Sequence, residues 1–389
     1  MSEHRRPGGA PPPAVPLSFV GLALATMGAS IVWSFFASQP LALLHAFVVG
    51  VFLTTALGLL YQFVPVVSMA KLQLPSLAFV HLALAAAGTT ALVSGFATLD
   101  FRLVALGGTL HGVGLLIEIV VLVATVVRGH PPAPARAAAA AFGWLVLTFA
   151  IGIWMAIALG RGYGIGSVLT LHAIFGIAGF FGTLIGGITF RLLRMFERVD
   201  REVHVAPWAI GIGAATLAAA FISYGRWLLV LAAGALCIDL FRIARVRNPA
   251  YQRETLFYGI ASALGALAAA LLFAAHREAD SVFCAVWFFI GTAIVGYLQR
   301  IVPFIWWVRR AKAEGAKNIP TLGDMNNSRL GYLILAAWLA AGLVRVGDPG
   351  GAVAPALALL AWGLLMAQLL RAFTRGRPSV VASQLQETQ

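Results

Sequence analysis

Charged side chains are scarce in this sequence of 389 residues. They make up 11% of the chain, whereas soluble domains carry roughly 25%, and hydrophobic residues account for 60%. A soluble fold of this length would not remain dispersed with so few charges. The composition therefore predicts an all-α integral membrane protein whose main partner is the lipid bilayer.

Cysteine is almost absent as well. Cys237 and Cys284 are the only two, and both lie within apolar stretches, which excludes a disulfide framework and a CxxC metal site. The sequence has no phosphate-binding loop, no HExxH, no GxSxG and no dinucleotide fingerprint. No catalytic motif is present, and the sequence leaves open whether the protein is an enzyme.

Long apolar runs are what the sequence has in abundance. Each is about 17 residues or longer, which is enough to cross a bilayer as a helix. About twelve spans are predicted, near residues 17–37, 41–65, 74–98, 101–127, 137–160, 167–193, 206–223, 226–246, 254–275, 281–308, 330–346 and 351–373. Residues 17–376 are predicted to form one transmembrane helical domain. Residues 1–16 are predicted to be a disordered cytoplasmic tail, and 377–389 a second cytoplasmic tail.

The basic residues give the predicted topology. With both termini inside, 22 of the 27 Lys and Arg residues fall on the inner side and only Arg102, Arg161, Arg226, Arg277 and Arg345 fall outside. Cytoplasmic loops of membrane proteins carry such an excess. The pattern predicts a multi-pass protein of the inner (plasma) membrane with cytoplasmic termini. It also attributes the net charge of +13 to topology rather than to nucleic-acid binding.

Three of the predicted spans share a pattern. They read HAFVVGVFLTTALGLLYQFVP from His45, HAIFGIAGFFGTLIGGITFRLLRMF from His172 and CAVWFFIGTAIVGYLQRIVPFIWWV from Cys284. In each, a glycine is followed four residues later by a long polar side chain: Gly58 and Gln62, Gly187 and Arg191, Gly296 and Arg300. The three spans lie four apart and run in the same direction. They predict three quasi-repeats of four helices around the membrane normal.

This organisation resembles subunit I of the haem-copper oxidase and nitric-oxide reductase superfamily, which has histidines on its second and sixth helices. The stretches HAFVVGVFLTTALGLLYQFVPVV and GYLQRIVPFIWW look closer to bacterial oxidase-subunit-I-like proteins. The resemblance places His45 at the second-helix haem position and His172 at the sixth-helix copper position. It implies haem b and copper as cofactors, and a respiratory or electron-donor protein as partner.

The sequence also departs from that family. A complete oxidase core needs six histidines, but only four lie in the predicted spans, and the seventh and tenth spans have none. The resemblance therefore implies a haem- or metal-binding protein with a redox, gas-handling or electron-transfer role, and not a complete oxygen reductase.

Three membrane histidines are candidate ligands. His45 and His172 lie about 7 Å from the outer ends of their spans and His111 about 15 Å. Neutral imidazole is a good ligand for haem iron or copper. Gly176, Gly179, Thr183 and Gly186 form a stripe of small residues below His172, and Gly112 and Gly114 follow His111, so a flat macrocycle would have room at either place. Each histidine could instead bond to a neighbouring helix, and His81, nearer the inner end of its span, is predicted to be structural.

Other polar residues complete the candidate site. Glu118 shares a helix face with His111. It is predicted to be a proton relay, a metal ligand or a hydrogen-bond partner of a ligand histidine. The alternative is a protonated acid without a role. Cys284 is a candidate soft ligand or a packing residue. Arg345 is a candidate partner of haem propionates or an interfacial arginine.

Two other classes of function remain open from the sequence. A transporter or channel for a metal, haem or small solute could use the same polar residues as a pathway. A non-catalytic accessory membrane subunit could keep the oxidase-like scaffold and only pack against partners. Ionisable residues inside a membrane are costly wherever they occur, so their presence alone does not decide between these classes.

Overall fold

The computed structural model describes residues 11–36, 39–245, 253–315 and 319–375. Every regular element in these ranges is helical. The first helix begins at Ala14, so the predicted N-terminal tail is shorter than 16 residues. Residues 1–10 of that tail, and the whole of the predicted tail 377–389, lie outside the described residues.

Eleven helices in the described ranges are long and apolar enough to cross a membrane. They are α1 Ala14–Trp33, α2 Pro40–Val67, α3 Pro75–Thr98, α4 Phe101–Val126, α5 Ala133–Gly160, α6 Val168–Phe196, α8 Arg226–Arg245, α9 Glu254–Ala274, α10 Glu278–Glu314, α11 Ser328–Gly347 and α12 Val353–Thr374. One shorter apolar helix, α7 Val205–Phe221, has 17 residues and falls at the short seventh predicted span. The predictions of an all-α fold and of many membrane-spanning helices are confirmed.

The chain divides into two compact units, Met1–Ile294 and Val295–Gln389, with the boundary inside α10. The first unit contains α1 to α9 and the start of α10. The second contains the rest of α10, α11 and α12, and a short helix Leu322–Met325 that Thr321 and Asp324 cap reciprocally. The single domain predicted for 17–376 stays a prediction, because compactness does not measure independent folding.

The helix pair α3 and α4 shows how small residues set close packing in the first unit. A Cβ added to Gly107 of α4 would lie 2.5 Å from the backbone nitrogen of Leu92, and one added to Gly95 of α3 would lie 2.6 Å from that of Val104. Glycine lets membrane helices approach to this distance. The turn between the helices ends at Asp100, whose side chain accepts from the backbone N–H of Arg102 at 2.9 Å and caps α4.

Three long helices contain a π-helical segment, which the sequence did not predict. The segments are Ala46–Leu53 in α2, Phe175–Gly182 in α6 and Ala285–Gly291 in α10. A threonine follows each of them directly: Thr54, Thr183 and Thr292. π-Helical turns are rare and frequently occur at functional sites. The three helices are the ones that share the sequence pattern.

Side chains satisfy backbone carbonyls of these π segments. Thr54 Oγ1 donates to the carbonyl of Val49 at 2.9 Å. The indole N–H of Trp208 donates to the carbonyl of Gly182 at 3.0 Å, and Ser262 Oγ donates to that of Phe289 at 2.8 Å. Trp208 belongs to α7 and Ser262 to α9, so these neighbouring helices stabilise the irregular segments of α6 and α10.

We expect Trp208→Phe to destabilise the first unit by about 1–3 kcal/mol, because the carbonyl of Gly182 would lose its partly buried indole donor. Unfolding of the purified protein in mixed micelles of increasing denaturing detergent measures the change. Trp154→Phe is the matched control, since Trp154 is 51% exposed. Equal losses in the two variants would show that the indole bond does not stabilise the π segment.

Candidate functional site

His45 lies at the end of the first α-helical turn of α2, directly before the π segment. Its Nδ1 is 2.8 Å from the carbonyl oxygen of Leu41, one turn earlier in the same helix. The ring stacks on Phe96 of α3, with 4.3 Å between the ring centroids. One face of the imidazole and one of its nitrogens are therefore fixed, while the residue remains partly exposed.

His172 has the same type of anchor, provided by a different helix. Its Nδ1 is 3.0 Å from the carbonyl oxygen of Thr148 on α5. Gly152, one turn along α5, leaves space for the ring, because a Cβ there would lie 3.0 Å from His172 Cε1. His172 precedes the π segment of α6 by three residues and is also partly exposed.

The two anchors determine which nitrogen of each imidazole can bind a metal. A carbonyl oxygen only accepts hydrogen bonds, so Nδ1 carries the proton in both rings and Nε2 keeps its lone pair. No hydrogen bond to either Nε2 occurs among the residues that the structure describes. Histidines that bind metals typically donate their other N–H to a carbonyl or carboxylate in this way.

His111, the third predicted ligand, has a different environment. It is buried, its Nε2 lies 3.1 Å from Thr89 Oγ1, and its ring packs parallel to Phe149. A Cβ added to Gly88 would lie 2.7 Å from the ring, so α3 and α4 enclose it closely. His111 is thus bonded to a neighbouring helix, which is the alternative that the sequence left open for each histidine.

The glycines that were expected to make room for a macrocycle are occupied by protein side chains. A Cβ added to Gly114, predicted to lie beside His111, would instead lie 2.5 Å from the ring of His81. On α6, Gly179 faces Trp144 and Gly186 faces Trp208 in close contact. These glycines serve packing between helices.

The remaining predicted site residues are spread over the chain. Glu118 is fully buried, with Oε2 3.8 Å from His81 Nδ1. Cys284 is partly buried and directly precedes the π segment of α10. Arg345 belongs to the second unit, near the end of α11.

Within the described ranges, no three His, Cys, Asp or Glu residues form a group that could hold a metal ion. Among the predicted histidine ligands, His45 and His172 are partly exposed and His111 is buried.

Two residues that bond to the histidines, Thr148 and Tyr61, were not predicted from the sequence. Thr148 acts through its backbone carbonyl, and no side-chain pattern reveals a carbonyl. Tyr61 bonds to His81 from another helix. Its only signal in the sequence is a hydroxyl in the middle of an apolar span.

No protein-family model matches the chain, and no curated protein matches it. The likeness to the oxidase superfamily stays an expectation drawn from short motifs.

Proposed function

We propose that the protein is a membrane haem- or copper-binding protein in which Nε2 of His45 and Nε2 of His172 are the ligands. The observation that carries this proposal is the matched anchoring of the two rings, each with Nδ1 bonded to a backbone carbonyl at 2.8 Å or 3.0 Å. Of the four membrane histidines, these two are partly exposed and the other two are buried.

The donor set fits a transition metal. Imidazole nitrogens suit iron and copper, and His45 and His172 would hold a haem iron or a copper ion through Nε2. Such a group, when bound, supplies one-electron chemistry or binds a diatomic gas. The chain orients the rings through the carbonyls of Leu41 and Thr148, and Phe96 restricts rotation of the His45 ring.

The π segments support the proposed relation to the oxidase core. They lie in α2, α6 and α10, four helices apart, and each ends directly before a threonine. A shared irregularity of this kind is expected if three units of four helices derive from one repeat. Two accessible imidazoles are fewer than a complete oxidase requires, so the proposed role is gas handling or electron transfer with a respiratory partner.

Absorption spectra of the oxidised and dithionite-reduced protein, with elemental analysis of the same sample, test this function. The protein is made in cells supplied with copper and a haem precursor. A b-type haem spectrum or stoichiometric copper is expected. A featureless spectrum without bound metal would contradict the proposal and favour a transporter or an accessory subunit.

We also propose that both termini are cytoplasmic, from the distribution of basic residues. A green fluorescent protein fused after Gln389 is then expected to fluoresce, whereas alkaline phosphatase at the same place is expected to be inactive, because the first folds in the cytoplasm and the second outside it. Fusions in the loop between α3 and α4 are the control and should give the reverse. An active phosphatase at the C-terminus would overturn the topology.

A further inference from the structure

A second polar cluster lies where α2, α3 and α4 meet, apart from the two proposed ligands. It consists of Tyr61, His81 and Glu118, whose side chains are 0%, 1% and 0% exposed. Burial of three ionisable groups inside a membrane protein is costly, and such groups commonly mark a proton or ion pathway. The proposed metal centre does not use any of them.

The three groups meet at a single atom. The Tyr61 hydroxyl lies 3.0 Å from His81 Nδ1, and Glu118 Oε2 lies 3.8 Å from the same nitrogen. Among the residues that the structure describes, neither oxygen of Glu118 has a hydrogen-bond partner. Native proteins rarely leave a buried polar atom unpaired, because the lost hydrogen bond costs about 1–3 kcal/mol. A carboxyl that only filled space would be replaced by an apolar side chain at lower cost.

On α4 and α5, no buried Lys or Arg accompanies the Glu118 carboxyl. The other ionisable residues of α4 are Arg102, which is exposed, and His111, two turns from Glu118 on the same face. The only ionisable side chain of α5 is Arg136, which is exposed. The remaining ionisable group on this face of α4 is thus His111, whose Nε2 bonds to Thr89 of α3.

We propose that Tyr61, His81 and Glu118 form an intramembrane proton-binding site, with a proton that moves between Glu118 and His81. In the transfer, the O–H bond of the Glu118 carboxyl breaks and an N–H bond forms at His81 Nδ1. The Tyr61 hydroxyl, which donates to Nδ1 beforehand, then turns and accepts from it. The products are a carboxylate and an imidazolium side by side, so the step needs no further reactant.

The gap of 3.8 Å between Glu118 and His81 fits this role. It is too long for a hydrogen bond, so the proton is not permanently shared, and rotation of the carboxyl brings Oε2 within reach of Nδ1. Gly114 contributes by leaving room for the His81 ring against α4, since a Cβ there would lie 2.5 Å from Cδ2. The proposed proton-binding site does not require that His45 and His172 bind a metal.

Infrared difference spectroscopy of the full-length protein in lipid tests the proposal. The carbonyl stretch of a protonated, buried carboxyl is expected to disappear as the pH is raised and to shift in deuterium oxide. The band should be absent in Glu118→Gln and retained in Glu254→Gln. Glu254 is also buried, at 6% exposure, and begins α9. A Glu118 band that neither titrates nor exchanges would show a permanently protonated acid and overturn the proposal.

Tyr61→Phe provides a second test that does not depend on removing the carboxyl. The variant keeps the ring and deletes only the hydroxyl that bonds to His81 Nδ1. We expect the carboxyl band to persist but its titration midpoint to move, because His81 would lose the partner that reverses its hydrogen bond. An unchanged midpoint in Tyr61→Phe would exclude Tyr61, and the absence of any titrating carboxyl in the unmodified protein would overturn the site.

Discussion

Replacement of His45 or His172 by alanine is expected to weaken metal or haem binding by at least about 10–100-fold. Loss of a residue that only orients a ligand costs this much, and loss of the ligand itself should cost no less. Each alanine removes one Nε2 and leaves the other imidazole as the only nitrogen donor. The measurement is bound metal or haem per monodisperse protein after purification, followed by titration of the stripped protein.

His111→Asn is the matched control for these variants. Asparagine can keep a hydrogen bond to Thr89, and Nε2 of the buried His111 is already bonded to the Thr89 hydroxyl. We expect this variant to retain the full complement of haem or copper. Loss of the centre in His111→Asn, together with retention in His45→Ala, would transfer the ligand role to the buried pair of histidines and contradict the proposed site.

Gly265→Ala is expected to have a large effect on stability, a loss of about 1–3 kcal/mol or more. Gly265 lies on α9, and a Cβ there would collide with the backbone of Phe288 in the π segment of α10. Because the obstructing atoms belong to a main chain, no side-chain rotation relieves the collision. Unfolding in mixed micelles, followed by helicity, measures the loss.

Gly234→Ala on α8 is the counterpart of this substitution. A Cβ at Gly234 meets nothing within 4 Å, so only the helix propensity changes, and a gain of about 0.5–1 kcal/mol is expected. Similar effects in the two variants would show that α9 and α10 do not approach as closely as the structure describes.

The sequence was sufficient to predict the fold class and most helices. Apolar runs of membrane length are a strong signal, and even the short predicted span 206–223 corresponds to a helix, Val205–Phe221. The π segments were not predictable, because an extra residue in a helical turn leaves no pattern in an apolar stretch. Their repeated occurrence before Thr54, Thr183 and Thr292 appears only once the backbone is known.

The candidate site was predictable only in part. Depth along the spans selected His45, His111 and His172, but it could not show which nitrogen of each ring bonds to a neighbouring group. The decisive partner of His172 is a backbone carbonyl, and that of His111 is the hydroxyl of Thr89, 22 residues earlier. Both relations depend on how helices pack.

Neighbours along the sequence were also a poor guide to neighbours in space. Gly114 lies three residues from His111 and was assigned to it, but the glycine faces His81 of the adjacent helix. Glu118 was associated with His111 through their shared helix face, yet its carboxyl lies 3.8 Å from Nδ1 of His81 on the adjacent helix. In a helical bundle, the contacts that define a site are made between helices.

X-ray absorption at the metal edge of the loaded protein tests the central claim most directly, because it counts the imidazole nitrogens bound to the metal. We expect two imidazole ligands in the unmodified protein and one in either His45→Ala or His172→Ala, with His111→Asn unchanged. A metal coordinated without imidazole, or a protein that takes up neither copper nor haem, would contradict the proposed site.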